Sequence, residues 1–169
     1  MGPRLSISLL AWLALAAVAA SPAAARDALG VYGAWAAFRD DKPERCFAIS
    51  EPDRSITPAK PQWRSFFAVS DWPKRKAKGQ VHLRMAKARK PGSRLRLTVG
   101  TAQFDLVSAG AKAWAPDART DKAIVAALRV SRRATVSGLA RAGTATRDGY
   151  REEGAATAID APSLACPKS

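Results

Sequence analysis

Basic side chains form the densest group in this chain that could do chemistry. Between residues 60 and 96 the sequence holds twelve lysines and arginines, and Asp71 is the only acid among them. Ammonium and guanidinium groups bind phosphate and carboxylate, and arginine can do so through two parallel hydrogen bonds. The pattern therefore predicts an anion-binding surface. The residues that we nominate for it are Lys74, Arg75, Lys76, Arg84, Arg94 and Arg96.

No catalytic constellation stands out beside these cations. His82 is the only histidine, and its place in an alternating segment predicts a solvated position on the polar face of a strand. Neighbours on a strand point to opposite faces, so neither Asp40-Asp41 nor Glu152-Glu153 makes a carboxylate dyad, and we interpret both pairs as solvated turn charges. The sequence contains no glycine-rich phosphate loop, nucleophile elbow or zinc-type cysteine spacing. We expect a non-enzymatic protein with no catalytic residues, cofactor or metal site.

The N-terminal segment 1–25 predicts an export signal. It has one basic residue, Arg4, an apolar run from Leu9 to Ala20, and the small residues Ala23 to Ala25 before Arg26. The run is shorter than the roughly 20 residues that a membrane span needs, and no later stretch approaches that length. We expect one mature domain, residues 26–169, without a transmembrane span. The predicted location is the periplasm, with outer-membrane association or secretion left open.

The net charge narrows the choice of partners. The whole chain carries +14, and Arg4 is the only charged residue of the signal, so the mature chain keeps +13. Anionic components of the envelope, namely lipopolysaccharide, phospholipid headgroups or peptidoglycan, are the partners we expect. Export disfavours nucleic acid as the physiological target. An unidentified protein partner, or a solvated basic surface with no dedicated ligand, is the alternative.

Two cysteines are present, Cys46 near the start of the mature chain and Cys166 near its end. In an oxidising compartment they are expected to form a disulfide bond. Such a bond would tie the C-terminal tail to the first strands. The alternative is a pair of free thiols.

Alternating residues predict mainly β structure. Val81, Leu83 and Met85 alternate with polar residues, and so do Leu95, Leu97 and Val99. With a turn at residues 88–93, we interpret the two segments as the strands of one hairpin. In that hairpin Arg84, Arg94 and Arg96 would share a polar face with His82, and their repulsion would be relieved by an anion.

The remaining elements are short. We expect two strands between Val31 and Ile49, a strand at residues 66–69, and a proline-rich surface loop from Glu51 to Gln62. Further strands are predicted through residues 104–114, 134–138 and 144–150. One helix should begin at Asp121 with Thr120 as its cap, and a small helix should cover residues 155–159. Many short strands between glycine and proline breaks favour a sandwich or a barrel.

The order of these features resembles the invasion-associated locus B family of exported Gram-negative proteins. The residues that carry the resemblance are Trp35, the segments 46–52, 113–115, 125–128 and 143–150, and Cys166. The resemblance implies an immunoglobulin-like β-sandwich with one or two short helices, located in the periplasm or at the outer membrane, and no known catalysis. In some pathogens such proteins are associated with host-cell invasion.

The chain departs from that family pattern at two places. Relatives often carry another cysteine where this chain has Phe38-Arg39, and an apolar residue where it has the segment 151–153. The departures concern the disulfide pattern and the last strand.

Overall fold

The computed structural model describes residues 26–56 and 63–166. The predicted signal peptide and the end of the proline-rich loop, residues 57–62, lie outside the described residues. The fold is mainly β with two short helices, as the alternating sequence predicts. The strands are β1 Arg26–Tyr32, β2 Trp35–Asp41, β3 Glu44–Ser50, β4 Arg54–Ile56, β5 Phe66–Trp72, β6 Ala77–Arg84, β7 Leu95–Val99, β8 Ala102–Ala109, β9 Lys112–Trp114, β10 Arg133–Leu139 and β11 Ala145–Arg151. The helices are α1 Ala118–Val130 and α2 Ala155–Ala165.

All strands belong to one antiparallel sheet, in the order β1-β2-β3-β5-β6-β9-β8-β7-β10-β11-β4. We divide it into a first half (β1, β2, β3, β5, β6, β9) and a second half (β4, β7, β8, β10, β11), joined where β8 pairs with β9. Both halves contribute to one hydrophobic core, which holds Trp35 and Phe67 from the first half and Leu97 and Val136 from the second. Two half-sheets around a shared core make the fold sandwich-like.

The predicted hairpin at residues 81–99 is wrong. Strand β6 pairs with β5 and β9, whereas β7 pairs with β8 and β10. The alternation of both segments is real, since Val81, Leu83, Leu95 and Leu97 are all buried. Alternation identifies the buried face of a strand but does not identify its neighbour. The ten residues between β6 and β7 serve as a connection between the two halves.

The helices cover the inner face of the sheet. Helix α1 packs on β6, β7 and β8 through Ile124 and Leu128, and α2 packs on β1, β2, β3 and β5. The predicted cap of α1 is three residues too late, because the Asp117 carboxylate accepts the Thr120 N–H at 2.7 Å and the helix begins at Ala118. Helix α2 extends beyond its predicted end to Ala165. Among the described residues no helix combines the length and apolar character needed to cross a bilayer.

The disulfide bond between Cys46 and Cys166 is confirmed. Cys46 is fully buried on the inner face of β3, and Cys166 follows the last turn of α2. The bond therefore fastens α2 to the first half of the sheet. The predicted loop after Glu51 also contains the short strand β4, which pairs with β11 at the far edge of the second half.

Candidate functional site: a basic and aromatic sheet face

The outer face of the first half carries rings and cations side by side. Inner positions of β3, β5 and β6 hold Ala48, Val69 and Val81, so the residues one step along each strand point outward. The cross-strand pairing brings the outward residues into neighbouring rows. We call this surface the basic aromatic face and define it by Arg26, Arg45, Phe47, Trp63, Phe66, Trp72, Arg75, His82, Arg84, Lys112 and Trp114.

At one end of the face, guanidinium groups lie over aromatic rings. The Arg45 guanidinium carbon is 4.0 Å from the Phe47 ring centre and 5.1 Å from that of Trp72. Arg75 lies 4.8 Å from the same Trp72 ring. Phe47 is only 2% exposed although it points outward, because Arg45 and Arg26 cover it. These contacts hold the guanidinium planes in place through cation–π attraction.

Asp40 is the acid at this end of the face. It accepts hydrogen bonds from Arg26 and Arg45, each at 2.7 Å. Burial alone would raise the pKa of Asp40, but the hydrogen bonds from the two arginines outweigh it and the pKa is lowered. Stability from this pair is therefore present at neutral pH and is lost as the pH falls through the lowered pKa. The prediction that Asp40 is a solvated turn charge is wrong, since it is an ion-paired strand residue.

Around His82 the face is a cluster of rings. His82 stacks on Trp114 with 5.5 Å between ring centres and meets Phe66 edge-on at 5.3 Å. Its predicted solvated position is therefore wrong. Burial lowers the pKa of His82 below 6.5, and the charges of Lys112, Arg45 and Arg84 lower it further, so the ring is neutral at pH 7. Its Nε2 is buried and has no hydrogen-bond partner among the described residues.

Arg84 extends the face beyond this ring cluster. Its guanidinium carbon lies 5.7 Å from the Trp63 ring, and the strand register places Lys112 next to it on β9. Within the described residues neither Arg75 nor Arg84 forms an ion pair or a side-chain hydrogen bond. Both cations are oriented by a ring, and no carboxylate of residues 26–56 or 63–166 meets their N–H edges.

The six nominated cations separate into two groups. Lys74, Arg75 and Lys76 form the turn between β5 and β6 and are exposed, and Arg84 lies on the basic aromatic face. Arg94 and Arg96 lie in the second half, where their Nε atoms are 3.7 and 3.5 Å from Asp105. The predicted shared face of Arg84, Arg94 and Arg96 does not form, because β9 and β8 separate β6 from β7.

Glu152 is the other predicted turn charge that the structure corrects. It is 5% exposed, and both carboxylate oxygens are without a hydrogen-bond partner in the described part of the chain. Burial raises the pKa of Glu152 to about 8, against the opposing effects of Trp35 and Arg133. The residue occupies an inward position just after β11. Glu152 therefore has a structural role and does not belong to the basic aromatic face.

Sequence reasoning missed Arg26 and Arg45 as members of the site. Only the pairing of the strands identifies these two arginines as part of the site. Arg45 lies opposite Asp40 on β2, and its side chain reaches Trp72 on β5. Trp63 and Trp72 both lie half-buried beneath arginines on the outer face.

Comparisons with known proteins identify no relative of this chain. No protein-family model, no curated protein and no solved structure matches the chain. Within residues 26–56 and 63–166, no group of three or more histidine, cysteine, aspartate or glutamate side chains is placed to hold a metal ion. The functional argument therefore depends on the site itself.

The chemistry available to the basic aromatic face is anion recognition. A guanidinium stacked on a ring keeps its N–H donors at the edge, where phosphate or carboxylate oxygens can accept two of them. Stacking also removes part of the side-chain freedom that binding would otherwise cost. The flat rings between the cations can contact sugar or acyl surfaces.

Proposed function

We propose that this chain is an exported, non-enzymatic protein of the cell envelope, similar to the invasion-associated locus B family, that contacts anionic envelope or host-surface material. The contact surface is the basic aromatic face together with the turn Lys74–Lys76. Lipopolysaccharide, phospholipid headgroups and peptidoglycan are the candidate ligands. The predicted signal peptide and the periplasmic location belong to this proposal.

One observation carries the proposal. Arg75 and Arg84 are held on Trp72 and Trp63 and have no ion-pair partner among the described residues. In a protein that binds no anionic ligand, the arginines can be neutralised by carboxylates of the same chain. Asp105 has this role for Arg94 and Arg96. Oriented arginines without carboxylates instead leave binding capacity for an external anion.

A protein-interaction or structural module is the second candidate function. Val107 is 50% exposed and lies opposite Trp114, which stacks on His82. Exposed apolar residues beside a ring cluster are typical of protein contact surfaces. This alternative predicts binding that persists when charges are screened.

The test is cosedimentation of the purified mature protein with outer-membrane vesicles and with peptidoglycan sacculi. The proposal predicts binding at low salt that falls steeply at high salt, because exposed charges are screened. A variant with Lys74→Gln, Arg75→Gln and Arg84→Gln, the face variant, should bind at least about tenfold more weakly. Salt-resistant binding to another protein, with no binding to either material, would favour the second candidate instead.

A further inference from the structure

A groove between the two helices lies on the opposite side of the β5–β6 turn from the basic aromatic face. It is formed by α1, α2 and the start of β6, and its volume is about 320 Å³. Its walls are apolar, with Val125 and Ala126 on α1 and Ile159 on α2. That volume is within the range of small-molecule sites.

The third residue of β6, Gly79, leaves room for the groove because it has no side chain. Gly79 has a φ of +67°, and a Cβ built on it would meet only Val125, at 3.6 Å. On α1 the buried residues Ile124 and Leu128 face the core, which leaves Val125 and Ala126 turned toward the groove. Nothing from the strand fills the space between the helices at this point.

The acids near the groove are already engaged. Asp71 accepts the Gly79 N–H at 2.7 Å and the Ser163 hydroxyl at 2.9 Å. Asp160 accepts two hydrogen bonds from Arg129, at 2.7 and 3.1 Å, which link α2 to α1. The neighbouring carboxylates therefore have little capacity for a cationic ligand.

Two cations at the groove, unlike Arg129, have no such hydrogen-bonded partner among the described residues. Lys78 and Lys122 line it and form no ion pair with a described residue. The exposed residues Lys74, Arg75 and Lys76 form the turn that leads into β6, where Lys78 lies. An apolar groove with an edge of unpaired lysines is complementary to a ligand with an apolar chain and an anionic head.

We propose that the groove binds one single-chain anionic amphiphile, such as a fatty acid. The acyl chain lies against Val125, Ala126 and Ile159, and the head group contacts Lys78 and Lys122. This site is separate from the basic aromatic face and does not depend on the proposed function. The groove recognises the acyl chain of its ligand, whereas the basic aromatic face requires no acyl chain in the material that it binds.

The test uses isothermal titration calorimetry with dodecanoate below its micelle concentration. We expect one binding site per chain, and binding weaker by about tenfold or more for dodecyltrimethylammonium, which has the same chain and a cationic head. Ala126→Trp fills the groove and should abolish dodecanoate binding. Ala123→Trp is the matched control, because residue 123 is exposed on the same helix but does not line the groove. Replacing Lys78 and Lys122 by Gln should weaken binding several-fold.

Several outcomes would overturn the inference. They are the absence of dodecanoate binding to the unchanged protein, equal binding by Ala126→Trp, or equal affinity for the cationic amphiphile. A dimer in solution that Ala126→Trp dissociates would assign the groove to a second copy of the chain. If Ala126→Trp fails to fold, Val125→Phe tests the same wall. Binding of Ala126→Trp to sacculi and vesicles should be unchanged, which separates this result from the proposed function.

Discussion

The arginines of the two halves of the sheet contact different groups. In the second half, acids serve as shared partners. Arg133 and Arg151 both approach Asp53, at 3.0 and 3.9 Å, and Asp105 serves the two arginines of the β7 segment. In the first half Arg26 and Arg45 share Asp40 and Arg39 lies 3.3 Å from Asp41, whereas Arg75 and Arg84 lie on rings and have no carboxylate partner among the described residues.

This difference shows where the excess positive charge is available. A net charge of +14 describes solubility and nonspecific attraction, and it does not locate a site. In the second half Asp53 and Asp105 each approach two arginines, although Arg54 and Arg147 there form no ion pair with a described residue. Ring stacking orients the charge of the first half and leaves its hydrogen-bond donors accessible. The comparison therefore supports the proposal that anions bind at the basic aromatic face.

Reduction of the disulfide should have the largest effect and should disturb the first half most. The bond joins residues 120 apart, so by the loop-entropy relation its loss costs about 4–5 kcal/mol of unfolding free energy. Denaturant unfolding with and without reductant measures this. Amide exchange should show greater loss of protection in β2 and β3 than in β10 and β11. An unchanged midpoint in reductant would contradict the structural role of the bond.

Glu152 tests the second half, because its buried carboxylate oxygens accept no hydrogen bond from a described residue. Because the folded pKa is about 8 and the ordinary value is 4.5, the folded state holds a proton that the unfolded state loses in this window. Stability should therefore fall as the pH rises from 4.5 to 8. At about 1.4 kcal/mol per pKa unit the upper limit is about 5 kcal/mol, and we expect Glu152→Gln to recover about 2 kcal/mol at pH 8.

The control for Glu152 is its neighbour. Glu153 is exposed, so Glu153→Gln should leave the dependence of stability on pH unchanged. Thermal unfolding of both variants between pH 4.5 and 8 makes the comparison. A pH profile of Glu152→Gln that follows the unchanged protein would show that Glu152 does not hold the proton.

Asp40 allows the comparison to be sharpened with a small change. Asp40→Asn frees the donors of Arg26 and Arg45, and should tighten anion binding about two- to threefold while lowering stability by less than about 1 kcal/mol. Asp105→Asn is the matched control, because it removes the same charge and frees Arg94 and Arg96 in the second half. If both variants bind vesicles more tightly by the same factor in cosedimentation, the location of the freed arginines in the sheet does not affect anion binding.

Much of the fold could be predicted because strand alternation and turn residues are local. Strands β2 and β3, the strand at Phe66 and the Cys46–Cys166 bond follow from hydrophobic period, proline positions and the predicted export signal, whereas β1 was not predicted. The partner of each strand could not be predicted in the same way. Nothing local in residues 81–99 indicates that β9 and β8 enter between the two alternating segments.

The site was predictable in part for the same reason. Lys74, Arg75, Lys76 and Arg84 stand out in the sequence because they are dense and lack nearby acids. The neutralisation of Arg94 and Arg96 depends on pairing between β7 and β8, which brings Asp105 opposite Arg96. The burial of Glu152 depends on tertiary packing around Trp35. Charge in a sequence therefore indicates a function only after the structure shows which charges are paired.

The most direct measurement compares two variants of equal charge. The face variant replaces Lys74, Arg75 and Arg84 by Gln, and the second-half variant replaces Arg94, Arg96 and Arg151 by Gln. Each lowers the net charge by the same amount, so nonspecific attraction changes equally.

Both variants would be cosedimented with outer-membrane vesicles and sacculi at low salt, beside the unchanged protein. We predict that the face variant loses at least about tenfold in affinity and that the second-half variant stays within about twofold. Equal losses in the two variants, or a greater loss in the second-half variant, would contradict the assignment of anion binding to the basic aromatic face.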